Sequence, residues 1–264
     1  MSKISYKKLL LKKKVEPITC LTAYSEPFAK ILDGKVDLVL IGDSVGTTIY
    51  GMKNTRSVSL QMMKDHAKAV VQNTKYSMTI VDMPYNTYRN NKEALKNALE
   101  LLKYTKADFI KIETDESNVE IVKYLSSKKI KIVSHIGVNP QKFKNFNKIK
   151  SVGKNNKDIK NLVSLAIKLE KLGSKFIVLE CITKKASKII TNKLSIPTIG
   201  IGSSKNCDGQ VLVIDDILNL NSKVKKPKFV KKFLDVENGI TRAVNKFVKE
   251  VKGKKFPNNK HSYK

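Results

Sequence analysis

The stretch Val36-Asp37-Leu38-Val39-Leu40-Ile41-Gly42-Asp43-Ser44 runs as a buried strand and then stops on glycine, aspartate and serine. Four consecutive apolar residues fit a strand covered on both faces. A carboxylate at its end has no packing purpose. The same pattern recurs at Thr79-Ile80-Val81-Asp82-Met83-Pro84, at Phe109-Ile110-Lys111-Ile112-Glu113 and at Phe176-Ile177-Val178-Leu179-Glu180. Such repetition predicts one architecture that gathers strand ends.

Outward from these runs the chain alternates strand and helix. Strand-like segments are expected at Ile18 to Tyr24, Val36 to Ile41, Met78 to Met83, Asp108 to Glu113, Ile130 to Ile136, Phe176 to Cys181 and Ile196 to Ile201, with a last apolar run at Val211 to Leu218. Helical periodicity appears between them, for example at Leu95, Ala98, Leu99 and Leu102. Eight strands separated by helices imply parallel pairing through right-handed crossovers, and a closed (β/α)8 TIM barrel accommodates them economically. An open doubly wound sheet is the alternative, but no GxGxxG turn follows the early strands. The expectation is a single domain, 1–264, with a basic N-terminal helix over 1–14, read as a lid or oligomer contact, and a C-terminal helix at 240–252 packing on the barrel.

With 264 residues and 41% hydrophobic content, the chain can bury a substantial core. Its formal charge of +29 raises the possibility of nucleic-acid binding, yet all but three of the 52 basic residues are lysine. Arg56, Arg89 and Arg242 are the exceptions. Arginine's planar fork suits phosphates and bases, whereas scattered lysine fits a solvated coat, so no nucleic-acid partner is expected. Cys20, Cys181 and Cys207 are odd in number and lack CxxC spacing, which fits reduced thiols in the cytoplasm. No run approaches a membrane span, and none has the form of a signal peptide.

Period two along a strand puts Lys111 and Glu113 on one face and Val178 and Glu180 on another. If these faces point inward at the carboxyl end of a barrel, Asp43, Asp82, Glu113 and Glu180 converge with Lys111 and His135. Mutual repulsion among the carboxylates would be relieved by a divalent cation, and an oxygen-only donor set favours Mg²⁺. An α-keto acid could chelate that cation through its carboxylate and keto oxygens, leaving Glu180 as base and Lys111 as the positive charge for an enolate. Taken singly, each residue has a plainer reading. Asp43-Ser44 fits a turn or helix cap, Glu113 a loop acid, and His135 a hydrogen-bonded core histidine.

The segments Ile18-Thr19-Cys20-Leu21-Thr22-Ala23-Tyr24, Ile41-Gly42-Asp43-Ser44-Val45-Gly46, Asp82-Met83-Pro84-Tyr85, Ile110-Lys111-Ile112-Glu113, Ser134-His135-Ile136-Gly137, Val178-Leu179-Glu180-Cys181 and Pro197-Thr198-Ile199-Gly200-Ile201-Gly202 resemble, in order and spacing, the ketopantoate hydroxymethyltransferase (3-methyl-2-oxobutanoate hydroxymethyltransferase) family. The resemblance runs from about Lys8 to the C-terminal end. It implies a (β/α)8 barrel transferring a hydroxymethyl group from 5,10-methylenetetrahydrofolate to 3-methyl-2-oxobutanoate, which yields 2-dehydropantoate and tetrahydrofolate in pantothenate synthesis. By matching positions it implies Asp43, Asp82 and Glu113 for Mg²⁺, with Glu113 acting through water. It also implies Asp43, Ser44, Asp82 and Lys111 around the keto acid, Glu180 as proton acceptor, and His135 near the substrate. Family members are homo-oligomers, commonly decamers in bacteria. Departures are Ser25 in place of a usual acid, Ser203-Ser204 in place of a small Ala-Gly pair, and a lysine- and asparagine-rich loop from Lys142 to Asp158.

Rival readings are a related Mg²⁺-dependent barrel lyase or mutase acting on another α-keto acid, a lyase with Lys111 as Schiff base, and a basic binding module.

Overall fold

The computed structural model describes residues 2–145, 149–220 and 226–262. Met1, and residues 146–148 within the lysine-rich loop, lie outside that set, as do 221–225 and 263–264. Eight parallel strands close into a barrel in sequence order: β1 (Ile18–Thr22), β2 (Leu38–Ile41), β3 (Met78–Asp82), β4 (Phe109–Glu113), β5 (Ile132–Gly137), β6 (Phe176–Glu180), β7 (Thr198–Ile201) and β8 (Gly209–Leu212). The helices are α1 (Tyr6–Lys12), α2 (Glu26–Leu32), α3 (Val45–Thr48), α4 (Leu60–Val71), α5 (Asn91–Thr105), α6 (Val119–Ser127), α7 (Asn156–Lys171), α8 (Lys184–Lys193), α9 (Ile214–Ile217) and α10 (Val236–Lys252). The expected (β/α)8 class is therefore the observed one.

The last strand differs from the sequence expectation. The eighth strand begins earlier, at Gly209, and the apolar run ends in helix, since Ile214–Ile217 is α9. A short apolar run carries no period that separates strand from helix. Gly209 is also where the barrel shuts: a Cβ there would lie 2.4 Å from the carbonyl oxygen of Ile18. Only glycine lets β8 approach β1 so closely.

Barrel interior positions follow the two-residue period. Leu38 and Leu40, Met78 and Ile80, Phe109, Val133, Phe176 and Val178, Ile199 and Val211 form one buried cluster. Continuing each series by two residues along β3, β4, β5 and β6 gives Asp82, Lys111 and Glu113, His135, and Glu180. The core thus runs straight into the polar mouth.

The opposite end is closed by the N-terminal segment, which therefore does not act as a lid over the mouth. Leu9 is fully buried in the core cluster, and the Tyr6 ring stacks edge-on against Phe109 and Phe176, 5.9 and 5.4 Å between centroids. Three aspartates at strand starts repeat one device. Asp37, Asp108 and Asp208 each accept from the backbone N–H and the hydroxyl of a threonine on the preceding strand, Thr19, Thr79 and Thr198 respectively. Each also meets a lysine of the N-terminal segment at 2.7 Å: Lys12, Lys3 and Lys13.

The chain divides into two compact units, Met1–Val213 and Ile214–Lys264. In the second, α10 has no buried residue, and Ile240, Val244, Phe247, Val248 and Val251 lie exposed along it. No helix among the described residues is long and apolar enough to cross a membrane.

Candidate active site

Asp43 sits two residues past β2, and Asp82 is the last residue of β3. The backbone N–H of Asp43 donates to Asp82 Oδ2 at 3.1 Å, so the two carboxylates adjoin at the barrel mouth. Asp82 and Lys111 face each other across β3 and β4, and Lys111 Nζ reaches Asp82 Oδ2 at 3.1 Å. Lys111 Nζ also lies 3.4 Å from His135 Nδ1, and His135 Nε2 lies 3.2 Å from Glu180 Oε2. A continuous path therefore joins Asp43, Asp82, Lys111, His135 and Glu180 across five strands.

Burial sets the electrostatics. Asp43, Asp82, Lys111, Glu113 and His135 are all buried, while Glu180 is partly exposed. Burial pushes the Asp82 carboxyl up to about 7 despite the opposing pull of Lys111. Burial likewise raises Asp43 and Glu113, Glu113 well above the carboxylate range with Asp43 adding to the effect. Burial alone would lower Lys111, but Asp82, Asp43 and Glu113 outweigh it and hold the ammonium charged. An amine held in this way is a poor Schiff-base nucleophile, which argues against the imine-forming lyase.

For His135, burial and then Lys111 lower the pKa and favour neutral imidazole. An ammonium can only donate, so Nδ1 is the acceptor and the ring proton sits on Nε2, toward Glu180. That Nε2 is buried without a well-aligned hydrogen bond, its approach to Glu180 being off-angle.

Ser44 occupies the N-cap position of α3 but caps nothing. Its hydroxyl pairs instead with Tyr24 Oη at 2.7 Å. The capping alternative for Asp43-Ser44 is therefore not the one adopted.

A divalent cation fits the donor set. Asp82 Oδ1 is buried and has no hydrogen-bond partner, while Oδ2 already serves Asp43 N–H and Lys111. A carboxylate oxygen left bare in the interior is costly, and a hard cation is the partner it lacks. Among the described residues no cluster of three or more His, Cys, Asp or Glu is spaced to hold a metal. Asp43 and Asp82, whose carboxylates adjoin, would be the residues to hold such a cation, with water and substrate completing its shell. The Gln141 backbone N–H is shared between the two oxygens of Glu113, at 3.1 and 3.2 Å.

Sequence reading missed four contributors. Gln141, in the 3₁₀ turn Pro140–Lys142, donates from Nε2 to Asp43 Oδ2 at 2.8 Å and to Met83 O at 3.0 Å. Tyr88 Oη donates to Gln141 Oε1. Arg56 donates to Gln141 O at 2.9 Å and to Tyr85 Oη at 2.6 Å, and Tyr24 steadies Ser44. Arg56 had one signal, its rarity in a chain of lysines. Tyr85 appeared only as the end of the Asp82 motif.

A cavity of about 610 Å³ lined by Lys8, Lys12, Glu16, Asp37 and Tyr76 lies at the N-terminal end of the strands, away from all of these groups.

Barrel and mouth together define a (β/α)8 enzyme whose acid, lysine and histidine side chains converge at the strand carboxyl ends. Solved structures with the same fold include phosphonopyruvate hydrolase in complex with oxalate and Mg²⁺, with a TM-score of 0.61, 10% identity, and coverage of 99% of this chain and 93% of that one. Another is 2,3-dimethylmalate lyase, a PEP mutase/isocitrate lyase superfamily member, with a TM-score of 0.61, 11% identity, and coverage of 98% and 88%.

The chain belongs to the ketopantoate hydroxymethyltransferase family, whose model matches residues 3–259. It is 46% identical over 252 residues to the 3-methyl-2-oxobutanoate hydroxymethyltransferase of Pelagibacter ubique (strain HTCC1062), covering 96% of each chain. It is 40% identical over 261 residues to that of Helicobacter acinonychis (strain Sheeba), covering 99% of this chain and 96% of the relative.

Proposed function

We propose that the protein transfers a hydroxymethyl group from 5,10-methylenetetrahydrofolate to 3-methyl-2-oxobutanoate, giving 2-dehydropantoate and tetrahydrofolate, the first committed step of pantothenate synthesis. Family membership and relatives that carry the enzyme's name support the overall activity. The observation that carries the mechanism is the contact path from Asp43 through Asp82, Lys111 and His135 to Glu180.

In this reading Asp43 and Asp82 hold Mg²⁺, with Glu113 behind them, and Ser44 contacts the keto acid beside Asp43. When bound, the cation supplies Lewis acidity to the oxygens of the keto acid. Glu180, the partly exposed carboxylate of the set, takes the C3 proton. The Lys111 ammonium faces the charge that develops as the electron pair moves toward the keto oxygen. His135 lies beside the base, its Nε2 3.2 Å from Glu180 Oε2. One water releases the methylene carbon of the folate donor at the formaldehyde level, breaking its C–N bonds and freeing tetrahydrofolate; the deprotonated C3 adds to that carbon, and the alkoxide formed takes up a proton to become the hydroxymethyl group.

Three free cysteines support a reducing compartment, in line with a cytoplasmic enzyme. The exposed apolar face of α10 supports assembly, with the decamer as the subunit number implied by resemblance. The deciding experiment is a coupled assay with both substrates and varied Mg²⁺. Turnover that vanishes in chelator and returns with Mg²⁺ is expected; product formation indifferent to chelator would reject the metal site, and no product would reject the activity.

A further inference from the structure

We infer that Gln141 is a positioning residue that aims Asp43 at the divalent cation and ties Asp43 and Glu113 to one loop. The inference rests on the reading of Asp43 and Asp82 as the cation's carboxylates. It concerns a residue that touches neither substrate nor cation.

Gln141 is 4% exposed, and both its backbone and its side chain are committed. Its amide nitrogen faces two acceptors, Asp43 Oδ2 at 2.8 Å and Met83 O at 3.0 Å. Its amide oxygen faces the donor Tyr88 Oη. Turning the amide over would set oxygen against a carboxylate and a carbonyl, so the orientation is fixed. One oxygen of Asp43 is thereby occupied, which fixes the rotation of the carboxylate about its last bond. Meanwhile the Gln141 backbone N–H spans both oxygens of Glu113.

The turn carrying Gln141 is itself latched. Arg56, from the 3₁₀ turn Thr55–Ser57, donates to Gln141 O and to Tyr85 Oη, and its guanidinium lies 3.8 Å from the centre of the Tyr85 ring. Loops after β2, β3 and β5 are thus fastened around one glutamine. Partners that orient metal-bound carboxylates commonly matter 10–100-fold, even though they touch no metal.

The test is Mn²⁺ titration in the presence of 3-methyl-2-oxobutanoate, read by the electron paramagnetic resonance of free Mn²⁺, on the full chain and on Gln141→Met, Tyr88→Phe and Asp43→Asn. Methionine keeps the volume of glutamine and removes both polar ends. Gln141→Met is expected to weaken Mn²⁺ by about 10–100-fold, and Tyr88→Phe by about 3–10-fold. In both, kcat should fall while KM for the folate donor stays constant. If Gln141→Met does not fold, Tyr88→Phe decides alone. Affinities within about twofold of the unsubstituted protein in the folded variants, with Asp43→Asn losing Mn²⁺, would overturn the role of Gln141 alone. An unsubstituted protein that takes up no Mn²⁺, or an Asp43→Asn variant that keeps full affinity, would overturn the carboxylate reading and this inference with it.

Discussion

Gly137 decides how near the base comes to its neighbours. Its φ of +103° lies where side chains are strained, and a Cβ there would sit 2.3 Å from the Glu180 carbonyl oxygen. Register pairs Gly137 directly with Glu180, so β5 and β6 converge at the mouth because glycine permits it. Gly137→Ala should cost about 2–4 kcal/mol of stability through strain and overpacking. It should also lower turnover more than tenfold, because the displaced atom belongs to Glu180 itself. Thermal unfolding and the coupled assay check the two parts, and normal turnover with reduced stability would separate Gly137 from the chemistry.

The strand-borne site residues were legible at this scale because period two is arithmetic within one strand. Phe109 in the core fixes Lys111 and Glu113 inward, and Phe176 does the same for Glu180. Gln141, Tyr88 and Arg56 were not legible, since they lie on loops distant in sequence that meet only when the barrel closes.

Among the elements, the N-terminal segment gives part of the lysine excess a purpose. Lys13 is nearly buried on Asp208 at 2.7 Å and also donates to Thr191 O at 3.1 Å. Lys13→Ala should cost about 1.5–3 kcal/mol, since the buried Asp208 carboxylate loses its ammonium partner but keeps its two Thr198 donors. Chemical denaturation measures this, and a loss below about 1 kcal/mol would assign the pair to the category of weak surface bridges. Sequence alone showed only a basic amphipathic helix, because the aspartates that receive its lysines sit at three separate strand starts.

A second tie is sensitive to pH. Asp33, which caps α2, accepts from the backbone N–H groups of Lys75, Tyr76 and Ser77 at 2.8–2.9 Å. Burial alone would raise its pKa, but these donors prevail and hold it below the usual carboxylate value. Its contribution is therefore present above the unfolded value of about 3.9 and fades as pH falls through the lower folded one. Asp33→Ala should lose about 1–2 kcal/mol at pH 7, and the deficit should shrink on acidification through that window. A constant difference across pH would contradict the charge-based account. The eighth strand belongs to this scale too: Gly209-Gln210-Val211-Leu212 has weak strand character, and the stronger apolar signal lay in the helix that follows.

Across the whole molecule, the barrel separates two tasks. Its floor is a set of lysine and aspartate clamps that keep the strands in register, and its mouth is an acid, ammonium and imidazole path assembled from strand ends. Fold class was readable because eight apolar runs alternated with helical periods. The residues that meet at the mouth were readable because four of those runs ended in carboxylates. The central claim is that Glu180 removes the C3 proton of 3-methyl-2-oxobutanoate beside the charges of Lys111 and the Asp43–Asp82 pair. The direct measurement is proton NMR of that proton in deuterated water with Mg²⁺ and no folate donor. Exchange should be rapid with the unsubstituted protein and slowed by about 10²–10⁴-fold in Glu180→Gln, with keto-acid binding retained. Exchange at an undiminished rate in Glu180→Gln would contradict it.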